Sequence, residues 1–160
     1  MKRRFLFIVM ALFLLSGFSK TIGQTTNTSL NGIWQMCFYV SGDPTIPGEL
    51  KPSNSFKILS DDGKFTNMTV IPNKGAIIIG SGTYKQTASN AFTEHVEKNL
   101  HLPQLVGVDN VLEYEMKGGE VMVVKYFVKK DPEGNEINSW YYETWKKVKM
   151  PATYPKDLVR

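Results

Sequence analysis

The sequence predicts an all-β fold, an eight-stranded up-and-down antiparallel barrel that follows an N-terminal signal peptide. Three observations predict it. Short segments alternating apolar and polar residues recur along the chain, each bounded by Gly, Pro, Asn, Asp or Ser. The breaks between most of them are short enough for hairpins, which makes a meander. A meander of about eight strands removes its exposed edges by closing on itself.

The first segment lies outside that barrel. MKRR is a cationic start, and FLFIVMALFLLSGF is an apolar run of about 14 residues, short for a membrane span. Cleavage is expected after Ser19 or Gly23. A lipid-anchored precursor would carry Cys where Phe18 stands. We therefore expect residues 1–23 to be a signal peptide and 24–160 to form one domain. That domain would be exported, periplasmic or secreted, with no stable membrane span after cleavage.

The net charge of +4 belongs to the leader. Lys2, Arg3, Arg4 and Lys20 account for it, and the remaining chain carries 15 basic and 15 acidic side chains. Nucleic-acid binding loses its electrostatic basis at this point. The single cysteine, Cys37, excludes an intramolecular disulfide, so the domain must stand on its core. About 137 residues can do so, burying about two-thirds of the unfolded surface.

The elements follow in order. The first strand covers about Gly32–Val40. SGDPTIPGELKPS is too rich in Pro and Gly for helix or strand. The second strand spans about Ser55–Leu59, with a turn at Ser60-Asp61-Asp62-Gly63. The third runs about Lys64–Ile71 and turns at Pro72-Asn73-Lys74-Gly75. The fourth covers Ala76–Lys85. In SNAFTEHVEKNLHLP, Phe92, Val96 and Leu100 recur every four residues, a helical period. As a strand, the same stretch puts Phe92, Glu94 and Val96 on one face. Periodicity alone does not decide between them; seven neighbouring strands in want of an eighth favour the strand. The sixth spans about Asn110–Lys117, the seventh Glu120–Lys129 and the eighth Glu136–Val148, with turns at Gly118-Gly119 and Asp131–Asn135.

Gly-x-Trp at the start of the first strand (NGIW) resembles the lipocalin superfamily. The set NGIW, FKILSDDGKFTNM, GSGTYKQ, FTEHVEK and YYETWKKV is similar, more narrowly, to a family of small exported bacterial lipocalin-like proteins that carries a domain of unknown function. The resemblance implies that Trp34 packs across the closed end of the barrel. It also implies that a cation from the last strand covers that ring, Lys147 being preferred over Lys146. Gly32 would let the chain enter. The usual lipocalin disulfide and C-terminal helix are absent, and the resemblance names no ligand.

Glu94 and Glu143 stand out because each interrupts an aromatic or β-branched strand. A carboxylate inside a barrel needs a partner, and Lys85, Lys125 or a tyrosine hydroxyl could supply one. Such a group could orient a polar head in an apolar pocket; both acids could equally lie on the surface. A paired acid and base for glycoside hydrolysis would need a separation that the sequence does not provide. His95 and His101 fit neither HExxH nor HxxEH, so no metal centre is expected. Cys37 has no cationic neighbour in sequence to activate it. Gly80-Ser81-Gly82 lacks the context of a nucleotide loop and reads as a close backbone approach. No catalytic or cofactor motif is recognisable.

The resulting expectation is a non-catalytic protein that binds a small hydrophobic or amphipathic molecule, without a cofactor. Trp34 would be the cavity floor, and Met36, Phe38, Phe56, Tyr84, Glu94, Tyr114, Glu143 and Trp145 would line the wall. Ser41–Ser53 would be a lid. The alternative is a packed barrel that works through an exposed aromatic patch, Trp140 and Tyr142, on the outer face of the last strand. An enzyme ranks third.

Overall fold

A computed structural model describes residues 29–40 and 48–153. Eight antiparallel strands close into one barrel in sequence order, each bonded to the next and the last to the first. They are β1 (Gly32–Val40), β2 (Glu49–Leu59), β3 (Lys64–Ile71), β4 (Gly75–Ala88), β5 (Ala91–Asn99), β6 (Asp109–Lys117), β7 (Val121–Lys130) and β8 (Glu136–Lys147). One 3₁₀ turn, Pro103–Leu105, interrupts the connection from β5 to β6. The expected signal peptide, residues 1–23, lies outside the described residues.

The segment with helical spacing is strand β5. Phe92, Glu94 and Val96 are all buried, while His95 and Glu97 are exposed, which is period two. The four-residue recurrence ends at Leu100, which is exposed beyond the strand.

β2 is longer than its sequence suggests. It begins at Glu49, so the expected lid divides: residues 49–53 are strand, and 41–47 lie outside the described residues. Proline costs a ladder donor in a regular strand. Here Pro52 pairs with Cys37 just past an irregularity in the β1–β2 register, where the ladder is already interrupted.

β4 and β5 approach closely at Gly82. A Cβ there would lie 2.0 Å from the His95 carbonyl oxygen and 2.8 Å from Phe65 Cε1. Only glycine fits, and the β4–β5 register shifts at this point.

The inward residues form two tiers. Nearer the start of β1 is a packed apolar tier that includes Trp34, Leu59, Phe65, Phe92, Tyr114 and Met122, with Leu30 against it. On five strands the next inward residue borders a cavity instead: Met36 after Trp34, Lys57 before Leu59, Asn67 after Phe65, Glu94 after Phe92 and Leu112 before Tyr114.

Candidate functional site

The apolar tier has a polar seal. Trp34 is fully buried, and its indole N–H donates to the Leu30 carbonyl at 2.8 Å. Lys147, its register partner on β8, holds Nζ 5.2 Å from the centre of the indole ring. Gly32 has φ +133°, and a Cβ there would lie 3.1 Å from Lys147 Cε. Glycine thus supplies both the backbone conformation and the room for the lysine stem. Tyr84 and Tyr114 turn their hydroxyls toward the loops at this end. Tyr84 donates to the Ser60 carbonyl at 3.0 Å and to Asn31 Oδ1 at 2.5 Å, and Tyr114 donates to the Ser89 carbonyl at 2.8 Å.

The second tier encloses a cavity of about 310 Å³. Its wall includes Met36, Phe56, Glu94, Glu143 and Trp145 from the expected set. Tyr84 and Tyr114 do not line it, because they sit one tier below. Phe38 does not line it either and is 57% exposed. Trp34 is not the floor: the layer containing Lys57, Glu94 and Trp145 lies between it and the cavity.

Lys57 organises that layer. Its ammonium donates to Glu94 Oε1, and the two side chains are only 4% and 6% exposed. The rings of Trp145, Phe65 and Phe92 surround Nζ at 5.6, 5.5 and 5.9 Å. Aromatic faces attract a desolvated cation by cation–π interaction. Burial pushes the Glu94 carboxyl above its ordinary range, the Lys57 ammonium pulls it back, and the Glu143 charge raises it again.

Glu143 is held differently. Tyr126 O–H donates to its Oε1 at 3.0 Å and Trp145 Nε1–H to its Oε2 at 2.9 Å. Burial, then the Glu143 charge, drives the Tyr126 hydroxyl far above the usual tyrosine range, so it stays a donor. Tyr126 also stacks on Tyr141, with ring centres 5.9 Å apart.

The turn after β5 completes the wall. Asn99 Oδ1 accepts the backbone N–H groups of His101 at 3.0 Å and Leu102 at 2.8 Å. That turn carries Leu102 and Leu105 onto the cavity, with exposed His101 at the rim. The β5–β6 connection therefore forms part of the cavity wall, while residues 41–47 of the expected lid lie outside the described residues.

Sequence reasoning missed Lys57, Asn67, Asn110 and Tyr126. In SFKIL it named Phe56, which does reach the cavity wall, and passed over Lys57 beside it. The ladder places Lys57 opposite Trp34 and Asn67, both inward. The available signal was reciprocal: Glu94 needed a cation, and Lys57 shares a face with Leu59.

Among the described residues, other polar groups form no second centre. His95 Nδ1 lies 2.7 Å from Asp109 Oδ1 on the exposed surface. Among the described residues no three His, Cys, Asp or Glu side chains are placed to hold a metal ion. On the outer face, Trp140 packs edge-on against Phe127 at 5.4 Å, and Lys125 Nζ lies 4.9 Å from the Trp140 ring.

A closed eight-stranded antiparallel barrel with an internal polar site is consistent with a lipocalin-like fold. The chain belongs to the family described as a domain of unknown function (DUF4488), whose profile matches residues 29–156. No curated protein matches the chain.

Proposed function

We propose that this chain is an exported, non-catalytic binding protein that holds one small, partly apolar molecule inside the barrel. One observation carries the reading: the second tier leaves a cavity of about 310 Å³ where further side chains would complete a core. Sites for small molecules range from about 300 to 1,000 Å³ and combine apolar walls with a few placed polar groups. Met36, Val96, Leu102 and Leu112 supply the apolar wall, and Lys57, Glu94 and Glu143 the polar groups. The leader-like MKRR and apolar run support export.

The test is to purify the protein from its own host, denature it and identify any released small molecule by mass spectrometry. The reading predicts one compound in stoichiometric amount. Repeated absence of any compound would count against it.

A second reading has its own support. Phe127, Trp140 and Tyr142 are exposed on the outer face, and a groove bordered by Val108, Val111, Phe127 and Trp140 runs beside them. Such a patch suits a protein surface. Trp140→Ala would then abolish partner capture without altering small-molecule release, whereas the cavity reading predicts no effect on either.

A further inference from the structure

The cavity is short of one positive charge. Two carboxylates, Glu94 and Glu143, reach its wall. Among the described residues, Lys57 is the one lysine or arginine that does so. Lys57 is already committed: Glu94 takes its ammonium, and three aromatic rings surround the rest. Among the described residues, Glu143 has only neutral donors, the Tyr126 hydroxyl and the Trp145 indole, one on each oxygen. A carboxylate accepts at about four lone-pair positions, so Glu143 retains capacity for further donors.

The rest of the wall leans the same way. Asn67 Oδ1 is buried beside the cavity with no hydrogen-bond partner. Trp145 and Tyr126 are aromatic, and aromatic faces favour cations over anions. His101, the other side chain on the wall able to carry positive charge, is exposed at the rim. Glu143 is half-buried; a carboxylate partly withdrawn from water without an opposing cation carries a cost, and a bound cation would relieve it.

We infer that the molecule held in this cavity carries a protonated amine, which donates to Glu143 while its apolar part packs on Met36, Val96, Leu102 and Leu112. This deepens the binding reading and rests on it. It excludes fatty acids and other carboxylates as the principal cargo, because their charge would meet the unpaired carboxylate of Glu143 with Lys57 already taken by Glu94. It also disfavours a purely hydrocarbon ligand, which would leave Glu143 and Asn67 facing apolar groups.

The test uses three probes of one length, hexylammonium, hexanol and hexanoate, titrated calorimetrically into the purified chain. Hexylammonium is expected to bind at least about tenfold more tightly than hexanol, the effect of one charge-assisted hydrogen bond. Hexanoate should be the weakest. Glu143→Gln should erase the preference for hexylammonium over hexanol. Val96→Trp should abolish binding of all three; Leu105→Trp, nearer the rim, repeats the blockade if the first variant folds poorly. The wild-type ranking decides the question without any variant. Hexanol or hexanoate binding as tightly as hexylammonium, and still blocked by Val96→Trp or Leu105→Trp, would overturn the amine inference and leave the binding reading standing. No binding by any probe, or binding that neither blocking variant affects, would overturn both.

Discussion

Lys57 on β2 and Glu94 on β5 meet inside the barrel, ammonium against carboxylate, with almost no solvent contact on either side chain. The pair lies at the boundary between the packed tier and the cavity. Removing two charges from water costs several kcal/mol per ion, so such a pair is weak evidence for stability. Its positional effect is clearer. The pair and the three rings around Lys57 give the cavity a rigid polar floor.

Breaking that pair should be expensive. Lys57→Met leaves Glu94 buried without its cation, and we expect a loss of about 3–5 kcal/mol at neutral pH. The loss should depend on pH. Without Lys57, burial and Glu143 both raise the Glu94 pKa and nothing named opposes them. A raised folded-state pKa gives stability that is fully present below the unfolded value, near 4.5, and lost as the pH rises through the folded value. Urea denaturation of Lys57→Met across pH should therefore show stability falling above about 4.5, more steeply than in the wild type. Adding Glu94→Leu should flatten the profile and recover most of the loss. A flat profile in the single variant would place Glu94 in contact with water.

The closed end makes a separate prediction. Trp34→Ala removes a fully buried indole and should cost about 3–5 kcal/mol. Lys147→Met keeps an apolar stem and loses the cation over the ring, so it should cost only about 0.5–1 kcal/mol. Equal losses in chemical denaturation would mean that the charge matters as much as the ring.

Gly82 is the least tolerant glycine among the described positions. The Gly82→Ala methyl would have to displace the His95 carbonyl, and overpacking of this kind costs about 1–3 kcal/mol or more. We expect a lower melting temperature and loss of amide protection on β4 and β5. Gly75→Ala meets no atom within 4 Å, although its φ of +83° still strains the turn, and should cost less. The reverse order would show that β4 and β5 do not approach so closely.

Cys37 should behave as a buried, unreactive thiol. It is 4% exposed, its Sγ–H donates to the Gln35 carbonyl at 3.5 Å, and burial pushes its pKa up. The thiolate is the reactive form. A disulfide reagent should label it at the rate of unfolding in the native protein and rapidly in denaturant. Fast labelling of the native chain would contradict the burial.

Much of the fold was legible because turns punctuate it. Ser60–Gly63, Gly118-Gly119 and Asp131–Asn135 separate strands in the structure where the sequence placed turns. β5 needed a tertiary argument, since Phe92, Val96 and Leu100 satisfy both periods. The site was harder to read for a physical reason. Alternation identifies an inner face when that face is apolar, and here the second tier is partly charged. Lys57 therefore hid in plain alternation beside Phe56, and nothing in the alternation singled out Asn67 or Asn110. Tyr84 and Tyr114 do face inward, but which tier an inward residue joins depends on strand register. The contribution of the β5–β6 connection to the wall was invisible because its anchoring contact, Asn99 to the next turn, has no periodic signature.

The most direct test of the central claim is native mass spectrometry of the protein purified from its own host, with wild type and Val96→Trp side by side. A binding barrel predicts one added small-molecule mass on the wild type, released on denaturation and absent from the folded Val96→Trp chain. A bare wild-type mass in repeated preparations, or the same adduct on a folded Val96→Trp chain, would contradict it.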